Sequence, residues 1–246
     1  MSARSPALNE EVFSKAAAAS TGEEPMTIGK TVVASFALLA ILVIAGAIAW
    51  DQIDPLGEEI PIWYWVGLGG GIVVAIATIF RPRWAPFTAP VYAALEGLVV
   101  GGISRIFEFE FDGIVLQAIL LTLGVFGVML LLYATRIIKV TENFRLGVIA
   151  ATGAIMLTYL VDIGLRAFFD ANVPFIHDTG PWGIAISVVI VIVAALNLVL
   201  DFDFIERGAD QRAPGYMSWY AAFGLLVTLV WLYLEILRLL AKARSS

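Results

Sequence analysis

The chain has 246 residues, of which 60% are hydrophobic and 15% charged, whereas a soluble domain is roughly half apolar and a quarter charged. The net charge of −6 offers no basic patch for nucleic acid, and the lack of cysteine excludes disulfides, iron–sulfur clusters and thiol chemistry. The one histidine, His177, cannot build a histidine-rich metal site, although carboxylates and carbonyls could still hold a hard cation such as Ca2+.

Residues 1–29 are polar and read as a mobile leader. Seven apolar runs follow: Thr31 to Trp50, Ile62 to Phe80, Ala89 to Phe107, Ile114 to Ala134, Gly147 to Ala167, Trp182 to Leu200 and Met217 to Leu240. Each is about 20 residues and nearly continuous in apolar character, the signature of a membrane-crossing helix rather than of a short, alternating barrel strand. The fold expected is therefore all-α: a polytopic membrane protein with a seven-helix domain over residues 30–240 and a short basic tail over 241–246. Ala47-Ile48-Ala49 resembles a signal-peptidase site, but the long polar leader and long apolar run favour an uncleaved anchor. Trp63, Tyr64, Trp65, Trp84, Trp182, Trp219 and Tyr220 fall at span ends, as interfacial aromatics do. Gly67/Gly71 and Gly97/Gly101 are GxxxG pairs that let helix backbones approach closely. With the N-terminus inside, ten Lys and Arg lie on inner segments and five on outer ones, so the positive-inside rule places the N-terminus in the cytoplasm.

Polar groups at membrane depth are costly and therefore informative. Glu96 lies about two turns inside the third span, as either a gating group or a neutral clamp between helices. Asp201 and Asp203 close the sixth span. Asn197 and Asp201 share a helical face, whereas Asp203 points elsewhere and reads as solvated at the helix end. On the last span Thr228 and Glu235 are on one face, and Glu235 is spaced for an ion pair with Arg238. Asp162, four residues before Arg166, reads as structural.

Three segments resemble a known family. Ala93-Ala94-Leu95-Glu96-Gly97-Leu98, with its flanks from Ala89 to Ser104, is similar to the glutamate-glycine signature of the Bax inhibitor/YccA family. Leu200-Asp201-Phe202-Asp203-Phe204-Ile205-Glu206 looks like that family's sixth-helix segment, and Trp231 to Leu240 like its terminal helix. Met26-Thr27-Ile28 before the first span is similar to the bacterial branch, which implies a bacterial plasma membrane. The resemblance covers roughly residues 26–240 and implies seven helices with the last at their centre. It also implies a pH-sensitive Ca2+ leak pathway latched by two aspartates, one on the sixth helix and one on the seventh. Glu96 matches the family's third-span glutamate and Asp201 its sixth-helix aspartate. The seventh-helix aspartate does not carry over: its position falls near Thr228, and Glu235 is two turns, roughly 10 Å, further along the helix. Asp201 would then bond to Thr228, or to a cationic neighbour such as Arg207 or Arg212.

The function expected is a pH-modulated cation leak channel, with Ca2+ as the foremost ion and membrane-embedded carboxylates as the gate. Asp201, Glu96, Thr228 and Glu235 are the gating and pH-sensing candidates, Asp203, Asn197 and Arg207 are secondary, and Glu96 and Asp201 line the Ca2+ path. The partners expected are membrane lipid and the permeant cation, with no cofactor and no nucleic acid. The alternative is a non-transporting stress-response protein that binds or regulates a partner such as a membrane protease through its leader. An enzyme is not expected, since no nucleophile, base or metal set stands at matched depth, and Lys242 falls beyond the last span, where it cannot serve a retinal.

Overall fold

An apolar run surrounded by lipid must satisfy its peptide groups internally, and a helix does so within the run itself. The computed structural model describes residues 24–56, 61–169, 173 and 178–245, so His177 and most of the leader lie outside the described residues. Seven helices cross-match the seven runs: α1 Ile28–Trp50, α2 Ile62–Phe80, α3 Ala85–Glu110, α4 Ile114–Ala134, α5 Glu142–Phe169, α6 Pro181–Asp210 and α7 Met217–Ser245. All are long and apolar enough to cross a membrane. Large apolar side chains such as Leu116, Leu131, Leu160 and Ile163 stand exposed along them, as lipid-facing side chains do.

α2 and α4 have the bounds read from the sequence, whereas the other helices run beyond their apolar cores. α6 continues ten residues past Leu200, which corrects the expectation that it ends at Asp201 and Asp203. Its polar extension is stitched by an Arg207–Asp203 ion pair at i, i+4 spacing (3.0 Å). Residues 241–245, expected as a tail, continue α7, with Lys242 and Arg244 in its last turn, where cations complement the helix dipole.

The contacts divide the chain into two compact units. One comprises the described residues through Glu110 with Asp201–Val230, and the other Phe111–Leu200 with the residues from Trp231 onward. In the first unit α1 and α3 cross at backbone contact. A Cβ at Gly101 would stand 2.6 Å from Gly46 Cα, and one at Gly97 would stand 2.8 Å from Ala45 Cβ. The GxxxG reading of Gly97 and Gly101 as packing residues is thus explained by α1.

α7 meets four other helices. In the first unit Phe223 packs on Tyr92 of α3, and Thr228 bonds Asp201 of α6. In the second, Glu235 bonds Tyr159 of α5, Lys242 bonds Ser187 of α6, and Arg244 bonds Gln117 of α4. A larger share of its span is buried than of any other, which fits the central place expected of it.

Candidate functional site

Two carboxyl groups expected at membrane depth belong to the first unit. Asp201 is 7% exposed on α6, and its partner is the hydroxyl of Thr228 on α7. The Thr228 hydroxyl also lies 3.2 Å from the Gly224 carbonyl oxygen, one turn earlier on α7. A hydroxyl has one proton to donate and two lone pairs to accept with. A neutral Asp201 can donate to Thr228 while Thr228 donates to Gly224; an ionised Asp201 must take the Thr228 proton itself. Gly224 lies beside this contact: a Cβ there would be 3.9 Å from Asp201 Oδ1. The second carboxyl oxygen, Oδ2, is buried and has no hydrogen-bond partner among the described residues.

Glu96 is half-buried on α3 and bonds the hydroxyl of Tyr92, one turn earlier on the same helix. It faces α2: a Cβ at Gly71 would lie 3.6 Å from Glu96 Oε2. The Tyr92 ring meets Phe223 edge-on, with centroids 4.9 Å apart, and Phe223 precedes Gly224. Glu96 and Asp201 are thereby linked through one aromatic contact and one step along α7. Tyr92 was not singled out in the sequence, although its i, i+4 spacing from Glu96 marks it as a candidate partner.

The remaining candidates have other bonds. Asp203 is half-buried and paired with Arg207, rather than solvated, and Arg207 is thereby committed away from Asp201. Arg212 does not serve Asp201 either; it has a positive φ of 51° in the turn that ends α6. The Asn197 amide donates to Thr152 Oγ1 (2.7 Å) and to the Val193 carbonyl (2.9 Å).

Glu235, 1% exposed in the second unit, forms the expected ion pair with Arg238 (3.1 Å). Two further donors converge on it, the Tyr159 hydroxyl (2.7 Å) and the Trp231 indole N–H (3.2 Å). Arg238 also donates to the Tyr159 oxygen (2.7 Å), closing a ring of charge-assisted bonds. Asp162 accepts from the Val173 N–H (2.8 Å) and pairs with Arg166 (3.4 Å), as a structural group does. Lys242 is not beyond the end of α7; it is buried there, donating to Ser187 Oγ (2.9 Å) and the Gly183 carbonyl (3.2 Å). Among the described residues no group of three or more His, Asp or Glu is placed to hold a metal ion.

Seven helices long and apolar enough to cross a membrane, some of them carrying buried carboxyl groups, define a multi-pass membrane protein. The chain belongs to the Bax inhibitor 1-like family, whose profile matches residues 5–245. No curated protein matches it.

Proposed function

We propose that the protein is a pH-modulated leak pathway for cations, Ca2+ foremost, with Asp201 as the protonation site of its gate and Glu96 along its path. The observation that carries this reading is the Asp201 carboxyl group, buried between α6 and α7 with one oxygen on Thr228 and the other without a partner among the described residues. A neutral carboxyl group is compatible with that arrangement. A carboxylate with a bare oxygen in apolar surroundings is costly, and separation of α6 from α7 around a hydrated cation relieves the cost. Ionisation therefore biases the equilibrium toward the open state, and protonation biases it toward the closed one.

The sign follows. Ca2+ leak into liposomes holding the purified protein is expected to rise with pH across roughly pH 5 to 8. Asp201→Asn, fixed in the neutral state, is expected to leak little at any pH. A protein that passes no more Ca2+ than empty liposomes would sink the proposal. The Lys and Arg distribution supports a cytoplasmic N-terminus, which reporter fusions at the two termini would test, and the resemblance of Met26-Thr27-Ile28 to the bacterial branch favours a bacterial plasma membrane.

A further inference from the structure

Residues 24–27, just before α1, make contacts that the conduction reading does not use. α6 ends in a Schellman turn: the Ala213 N–H donates to the Gly208 carbonyl and the Arg212 N–H to that of Ala209, with Arg212 left-handed. That turn presents the Ala213 carbonyl, which accepts the Met26 N–H at 2.6 Å. Pro25 and Pro214 pair as an antiparallel bridge. Gly215 makes room for this pairing, because a Cβ there would stand 2.6 Å from the Glu24 carbonyl oxygen. Lys30 Nζ holds Glu24 Oε2 at 2.6 Å.

The Met26 side chain is 1% exposed and clusters with Ala85, Phe204, Ala213, Met217, Tyr220 and Ala221. Phe204 is one turn after Asp201 on α6. The Tyr220 ring lies tilted against both Phe204 (centroids 6.1 Å apart) and Phe223 (6.4 Å), and Phe223 adjoins Gly224 beside Asp201.

We infer that residues 24–27 are a strap whose Met26 side chain plugs the first unit where α6 ends and α7 begins, and that its release admits water toward Asp201 through the layer of Phe204 and Tyr220. The attachment suits a part that opens. It consists of one flexible side chain, a short backbone pairing and two Lys30 contacts, to Glu24 and to the Pro25 carbonyl, so the strap can swing out about Thr27, which stays as the N-cap of α1, while the helices remain intact. What the plug controls rests on the conduction reading; that it seals the site does not.

The cysteine-free chain allows a separate test of each. Ala221→Cys places a thiol under Met26, and its reaction with a water-soluble methanethiosulfonate is followed in liposomes beside Ca2+ leak. Met26→Ala, and independently Gly215→Ala, should speed labelling about tenfold or more, as loss of a buried methionine's contacts implies. Met26→Leu, of similar volume, should keep the thiol protected. Faster labelling with greater leak in the Met26→Ala and Gly215→Ala variants supports the whole inference. Faster labelling with no leak from any protein, Ala221→Cys alone included, upholds the plug and removes conduction. Equal labelling in all backgrounds overturns the plug. Faster labelling with an unchanged leak overturns it as a gate.

Discussion

Replacing Thr228 with Val tests the α6–α7 contact most directly. The two side chains have nearly the same volume, so the change removes the hydroxyl and little else. Asp201 would then have neither oxygen bonded, since Oδ2 already has no partner among the described residues. Leaving a buried polar group unsatisfied costs about 1–3 kcal/mol. The same loss weakens the closed arrangement, so leak at fixed pH should rise by at most roughly 5- to 150-fold, the factor equivalent to that energy. Unfolding in detergent micelles, measured for Thr228→Val, Asp201→Ala and the double variant, isolates the pair. The hydrogen bond predicts a coupling of about 1 kcal/mol or more, with the double variant losing less than the sum of the two single ones. Effects that add to within about 0.5 kcal/mol would refute the contact, and with it the view that Thr228 has taken the place of an acid.

Other substitutions probe the framework. Gly101→Ala, forced against the Gly46 backbone, should destabilise by about 1–3 kcal/mol, whereas Gly124→Ala, with nothing within 4 Å of its Cβ, should be neutral or gain up to about 1 kcal/mol; thermal unfolding distinguishes the two. Tyr159→Phe breaks a bridge between Glu235 and Arg238 and should cost about 1–2 kcal/mol in the same assay. Glu235→Gln should lower stability while leaving the pH profile of the leak in place; a shifted profile would return Glu235 to the gate. Lys30 holds the exposed Glu24 carboxyl group below the usual carboxylate range, so their pairing is lost only as pH falls through that lowered value. Protection of the Ala221→Cys thiol, corrected for reagent reactivity, should therefore stay flat across roughly pH 5 to 8.

Hydropathy located the helices because lipid contact demands continuous apolar length, and at α2 and α4 it also located their ends. It failed at α6 for a physical reason. Asp201-Phe202-Asp203 looks like a helix leaving the apolar layer, but the backbone needs no apolar side chains to continue, and Arg207 repays Asp203 one turn later. Glu235 with Arg238 and Asp162 with Arg166 were legible because partners at helical spacing on one helix need no tertiary information. Which side chain reaches Asp201 depends on how α7 packs against α6, and the sequence narrowed that choice only to Thr228, Arg207 or Arg212. The strap's role left no pattern, although Met26-Thr27-Ile28 was legible as a resemblance. Its contacts come from backbone groups, one methionine, a glycine needed for clearance and one ion pair at a spacing of six, none of which repeats at helical spacing.

The identity of the Asp201 partner also bears on how a pH response would look. Two facing carboxyl groups share a proton and titrate as a coupled pair, with two macroscopic steps. A carboxyl group facing a hydroxyl has a single proton to lose, because Thr228 stays protonated throughout the range in which the site works. The hydroxyl also stabilises both forms of Asp201, accepting from the neutral acid and donating to the carboxylate, whereas a second carboxylate would repel the ionised form. The Asp201–Thr228 pair therefore supports a one-proton dependence of gating, weaker in amplitude than a two-acid latch. Glu96, bonded to Tyr92 on α3, would add a second and separable step if it titrates along the same path.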